Sequence, residues 1–273
     1  MSKLSASLKA LINSPAARPH TLPAPKNITA IYQDIQQSAK AHNVSQPSWL
    51  ALSTAATMTM NSPESLAALF TLTSVEANND LEIAELMREI GLKCISFNGI
   101  PRTINNLNAF KASLPENISD SLSTTPTRTP TPTNITNIAN RGHSLWTSIY
   151  RPFEKKLYSK LASSHPRPPR HNPQRALRRE NPRTSAGRLV TSIIAIACLR
   201  AQSGVAPQVL SHIFGLRKAL EDGSWTADVE SEEGARWLAS DAGNEWILNS
   251  VDRIVEAIGQ GSGSSFASPR AKL

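Results

Sequence analysis

His212 is the side chain of this sequence best suited to proton chemistry at neutral pH, and Gln208 lies one helical turn before it. Imidazole titrates near physiological pH and can act as a general acid or base. Residues four apart share a helix face. The pair therefore reads as a catalytic couple, with His212 moving a proton and Gln208 orienting a substrate. The same spacing also serves a half-buried histidine hydrogen-bonded within a helix interface. A second cluster, Asn98, Arg102 and Asn105, brackets the Gly99–Pro101 break. It could bind a carboxylate at a helix start, where backbone donors point outward. Asparagines at such a turn equally hold the loop and cap the helix.

Cys94 and Cys198 are the two cysteines, too few for a disulfide framework and without metal-ligand spacing. Both sit in apolar, helix-like stretches, as expected of buried thiols acting as small hydrophobes. A redox pair across the two halves of the chain is the sharper alternative. His20, His42, His143, His165 and His171 have no ligand-like spacing with acids or cysteines, so no metal or cofactor is expected. Trp237 and Trp246 read as core or subunit-interface residues.

The elements that must position these groups are helical. Apolar residues recur at three- and four-residue steps in Ile28–Ala39, Trp49–Thr59, a helix opened by Ser62-Pro63-Glu64, and one capped by Asp80 that carries Leu81, Ala84, Met87 and Ile90. Phe97-Asn98-Gly99-Ile100-Pro101 breaks the chain, because Gly99 tolerates positive φ and Pro101 suits a first helical turn. A further helix is expected over Ser144–Leu161. Arg188–Arg200, Gln208–Leu220, Ser231–Ala239 and Gly243–Ile258 follow. Alternating strand patterns with hairpin turns are absent. The expected fold is all-α, with internally duplicated helical hairpins. Its organisation is a basic Pro-rich arm at 1–27, a first helical half at 28–120, a linker region at 121–187 with one helix, a second half at 188–258, and a flexible tail at 259–273.

Composition narrows the partners. The chain has 273 residues, 40% hydrophobic content, 19 prolines and a net charge of +8. No eighteen-residue apolar run exists, so no membrane span is expected. Arg151–Arg188 holds eleven Lys/Arg against Glu154 and Glu180. The five prolines from Pro166 to Pro182, and the lack of interleaved aromatics along that stretch, argue against nucleic acid. A solvated basic linker, or a patch for anionic ligands, accounts for the charge. Ala271-Lys272-Leu273, on a Gly/Ser tether, matches the peroxisomal import signal and implies an import receptor as partner. Residues 1–31 are acid-free and place Leu4, Leu8, Leu11 and Ile12 on one face, which suits a mitochondrial transit peptide as an alternative or second address.

Two segments carry a family resemblance. Glu89–Leu107, with Gly99, Pro101, Asn105 and Leu107, resembles the helix–Gly–Pro–helix element of the carboxymuconolactone decarboxylase and AhpD-like (alkylhydroperoxidase D-like) superfamily. Leu189–Leu220 is similar to its core hairpin, and the divergent form looks most like fungal organellar members. The resemblance implies oligomers. The redox members carry Cys-x-x-Cys ahead of a histidine. Val205 and Gln208 stand at those positions and only His212 remains, so the thiol nucleophile is missing. The resulting expectation is a non-redox peroxisomal matrix protein that lacks the Cys-x-x-Cys and has no thiol-dependent peroxidase activity. It would be either an enzyme or binder of a small acidic or acyl compound, or a catalytically silent oligomeric interaction protein.

Overall fold

The computed structural model describes residues 4–17, 20–76, 79–126, 129–164 and 186–263. Among them are thirteen α-helices and no strand. In chain order these are α1 (Ala6–Ile12), α2 (Ile28–Ala41), α3 (Gln46–Thr59), α4 (Pro63–Glu76), α5 (Asp80–Asn98), α6 (Ile100–Ser113) and α7 (Glu116–Ser121). They continue with α8 (Ile135–Tyr150), α9 (Glu154–Ser164), α10 (Arg188–Gln202), α11 (Ala206–Glu221), α12 (Glu232–Ala239) and α13 (Asp241–Gly259).

α3 and α10 form the centre. Nearly every residue of both is buried, including Leu50, Leu52, Ala55 and Ala56 on α3 and Ile193, Ile194, Ile196 and Ala197 on α10. A helix apolar on all sides must be enclosed by other helices. α5 and α13 pack against both, while α2, α4 and α6 close the α3 side and α11 the α10 side. One continuous hydrophobic cluster runs from Ile28 to Ile258, so 28–120 and 188–258 share a single core. Two of the hydroxyls on α3, those of Thr57 and Thr59, are satisfied inside it, while those of Ser53 and Thr54 are buried without a partner. Thr57 Oγ1 donates to the Ser53 carbonyl at 2.7 Å and lies 2.6 Å from Tyr32 Oη, while Thr59 Oγ1 donates to the Ala55 carbonyl at 2.7 Å.

The polar ends of these two helices are met from a distance. Neither helix has a capping bond from its own N-cap side chain. The Asp228 carboxylate accepts from Leu189 N at 2.8 Å and Val190 N at 3.4 Å at the start of α10. The Glu230 carboxylate accepts from Ser45 N at 2.9 Å and from the hydroxyls of Ser45 and Ser48 at the start of α3. Carboxylates there match both the unpaired N–H groups and the positive end of the helix dipole. Gly187 is what lets Asp228 approach, since a Cβ at 187 would lie 2.5 Å from that carboxylate.

Both helical hairpins are present, and their turns meet. Cys94 and Cys198 touch, as do Asn98 and Gln202 one turn later, each pair separated by 104 positions. The residues that follow, Gly99 (φ 79, ψ 164) and Ser203 (φ 64, ψ 162), share one backbone conformation. That region is almost confined to glycine, so Ser203 is strained.

Two boundaries depart from expectation. Ser144–Leu161 is not one helix: α8 ends at Tyr150 and α9 begins at Glu154. Pro152 is responsible, since it lacks the N–H that a continuing helix needs and its ring crowds the preceding turn. The described residues of 121–187 therefore carry two helices. Asn79, not Asp80, is the N-cap of α5, and Asp80 joins Glu82 in the first turn, favourable to the dipole. Residues 264–273, which include Ala271, Lys272 and Leu273, lie outside the described residues.

Candidate functional site

His212 is on α11, 4% exposed, and faces α8. Its Nε2 lies 3.1 Å from Tyr150 Oη, in a hydrogen bond whose direction follows the histidine tautomer. Its Nδ1 is buried without a partner. The rings of Tyr150 and Phe97 pack edge-on against it. Burial lowers the His212 pKa to about 4, and the positive charge of Arg188 acts in the same direction. Burial likewise raises Tyr150 to about 12. The dyad is therefore a neutral pair at physiological pH.

Arg188 ties the surroundings together from the first turn of α10. Its Nε donates to Ser148 Oγ at 3.0 Å, and its terminal nitrogens donate to the Gly215 carbonyl at 2.7 Å and to Ser192 Oγ. Three helices are thereby joined by one buried cation. Desolvation lowers its pKa to about 10, partly opposed by Asp222 and Asp228, and it stays charged at neutral pH. Gly215 gives the guanidinium room, since a Cβ there would lie 3.4 Å from a terminal nitrogen and 3.3 Å from Ile149.

Tyr150 has a second neighbour, an open groove of about 380 Å³ between the α8–α9 corner and α11. Ile149, Phe153, Leu157 and Phe214 make its walls, and Lys156, Lys160 and Lys218 stand around it. Phe153 is 63% and Phe214 50% exposed, a concentration of apolar surface of the kind that marks binding sites. Lys218 is engaged with the end of α8, donating to the Ile149 carbonyl at 3.0 Å and to that of Arg151. Lys156 and Lys160 lie four apart on α9, on one face.

The predicted site residues are distributed as follows. Gln208 is exposed near the start of α11, and the polar contact of His212 is made by Tyr150 instead. Asn98 is buried, where Oδ1 accepts from Thr59 Oγ1 at 3.1 Å. Arg102 donates to the Thr59 carbonyl at 2.5 Å, so both residues hold the C-terminal end of α3. Asn105 is exposed, while its neighbour Asn106 turns inward to the Asn61 side chain at 3.2 Å. No sequence motif marks Tyr150, Arg188 or Phe214 as site residues. The Lys156/Lys160 spacing beside Phe153 and Leu157 was the one local signal. Tyr150 and His212 are 62 positions apart, and no local pattern joins them.

Among the described residues no group of His, Cys, Asp and Glu is arranged to hold a metal, and no helix is long and apolar enough to cross a membrane. No family model, curated protein or solved structure matches this chain.

Proposed function

We propose that the protein binds a small acyl carboxylate in the groove between α8–α9 and α11. The observation that carries this reading is an apolar trough with lysines at its edge. The acyl chain lies against Ile149, Phe153, Leu157 and Phe214, and the carboxylate faces Lys156 and Lys160. The volume falls at the lower end of the range for small-molecule sites, about 300–1,000 Å³. His212 acts here by holding Tyr150, which forms part of the wall. Its burial and weak basicity argue for positioning over proton transfer. AhpD-like ancestry, oligomer formation and a peroxisomal address at Ala271-Lys272-Leu273 belong to the same proposal, on the residues that suggested them.

Calorimetric titration with octanoate, octanol and octylammonium tests the binding. Octanoate binds most tightly in the wild type. The double change Lys156→Glu/Lys160→Glu weakens octanoate at least about tenfold, some 1.4 kcal/mol, and leaves octanol unchanged. Phe214→Ala weakens both. Equal binding of octanoate and octylammonium, or no response to the charge reversal, overturns the reading. For the address, a tagged chain lacking the last three residues disperses from peroxisomes, and an unchanged pattern refutes it.

A further inference from the structure

The thiols of Cys94 and Cys198 lie 3.6 Å apart and are fully buried. They sit one turn before the ends of α5 and α10. The contact is held in register from one side by Gln202, whose Nε2 donates to the Phe97 carbonyl at 2.5 Å. From the other side, small residues let the helices come close. The Ala55 carbonyl of α3 is 4.0 Å from Cys198 Sγ, and Ala195, Ala197 and Ala201 accompany Cys198 on α10.

We propose that Cys94 and Cys198 are a reversible redox couple that closes to an intramolecular disulfide when a small hydroperoxide reaches the core. A disulfide needs the sulfurs at about 2.05 Å, so the pair must close by roughly 1.5 Å, shared between two side chains. In the first step one sulfur attacks a peroxide oxygen. The O–O bond breaks, an alcohol or water leaves, and a sulfenic acid forms. The second thiol then attacks that sulfur, the S–S bond forms, and water leaves. Two thiols are oxidised and one hydroperoxide is reduced.

Burial dictates the product. With both sulfurs at zero exposure, neither a second chain nor a bulky disulfide can reach them, so each has the other as its partner. The resolving thiol is already in contact, so the sulfenic acid is consumed before a second oxygen can add. The S–H contact with Cys198, and then burial, hold the Cys94 thiol protonated well above the usual thiol range, which makes the first step slow. The couple is therefore one that records sustained peroxide exposure. Once formed, the bond links residues 104 apart and removes freedom chiefly from the unfolded chain.

The test uses the full chain, reduced, freed of reductant and treated with hydrogen peroxide while folded. Intact-mass analysis then shows the loss of two hydrogen atoms per chain, and peptide mapping shows the segments containing 94 and 198 joined. Dithiothreitol reverses both. The oxidised chain melts at least about 5 °C above the reduced one. Cys94→Ala and Cys198→Ala each abolish the two-hydrogen loss. Since the decisive reading comes from the wild type, a poorly folding variant does not blunt it. Thiols that stay intact at peroxide levels that oxidise the unfolded chain, a gain of oxygen in place of hydrogen loss, or a bond between chains each overturn the proposal.

Discussion

At pH 7 His212 is uncharged: burial, and then the Arg188 guanidinium, hold its pKa at about 4 against 6.5 for the free side chain. Between those values the unfolded chain binds the proton and the folded one does not. Stability therefore rises with pH across pH 4–6.5 and falls as acid is added through that window. The full effect is on the order of 3 kcal/mol between pH 7 and pH 4. Urea titrations of wild type and His212→Gln at pH 7, 6 and 5 isolate it. The wild type loses more stability on acidification, and parallel losses would show that His212 is charged or solvated in the fold. Tyr150→Phe is expected to destabilise by about 1–3 kcal/mol, because it leaves His212 Nε2 buried with no partner. A melting curve reads that loss, and an unaltered curve means that water reaches the ring.

The helices are held by end-caps from elsewhere in the chain. Asp228→Ala uncaps α10 and Glu230→Ala uncaps α3, and each is expected to cost about 1–2 kcal/mol. The two losses should add, since the carboxylates act on different helices. Thermal melts of the single and double variants check this, and a double variant no worse than either single would show one shared cap. The matched turns give an opposite-signed pair. Ser203→Gly relieves the strained conformation and is expected to stabilise by about 1 kcal/mol, whereas Gly99→Ala introduces the same strain and destabilises by at least about 1 kcal/mol. If Ser203→Gly lowers the melting point, the serine side chain outweighs the strain. The helix starts at Pro63, Pro101 and Pro207 were legible because proline and its flanking residues are local signals. The caps on α3 and α10 were not, because Glu230 reaches Ser45 across 185 positions.

A shared core predicts a shared transition. Trp49 lies deep in α3, and Trp225, Trp237 and Trp246 pack on the same cluster from the other end of the chain. Urea unfolding followed by tryptophan fluorescence and by far-ultraviolet circular dichroism is expected to give coincident curves, as a cooperative two-state domain does. Two resolved transitions would mean that residues 28–120 and 188–258 hold themselves up separately, against the continuity of the cluster.

The sequence by itself determined that the described chain is helical, where most helices begin, and that Gly99–Pro101 and Gly204–Pro207 are hairpin turns. These features rest on periodicity and on residues that restrict their own backbone, which neighbours in the chain are enough to decide. It also marked His212 and the two cysteines as groups worth following. Only the tertiary structure decided their company. It set Tyr150 rather than Gln208 against His212, turned Asn98 and Arg102 onto the end of α3, and brought Cys94 within 3.6 Å of Cys198. Partners tens to hundreds of positions apart are chosen by how buried helix faces pack, and packing is a property of the whole core that no local spacing encodes.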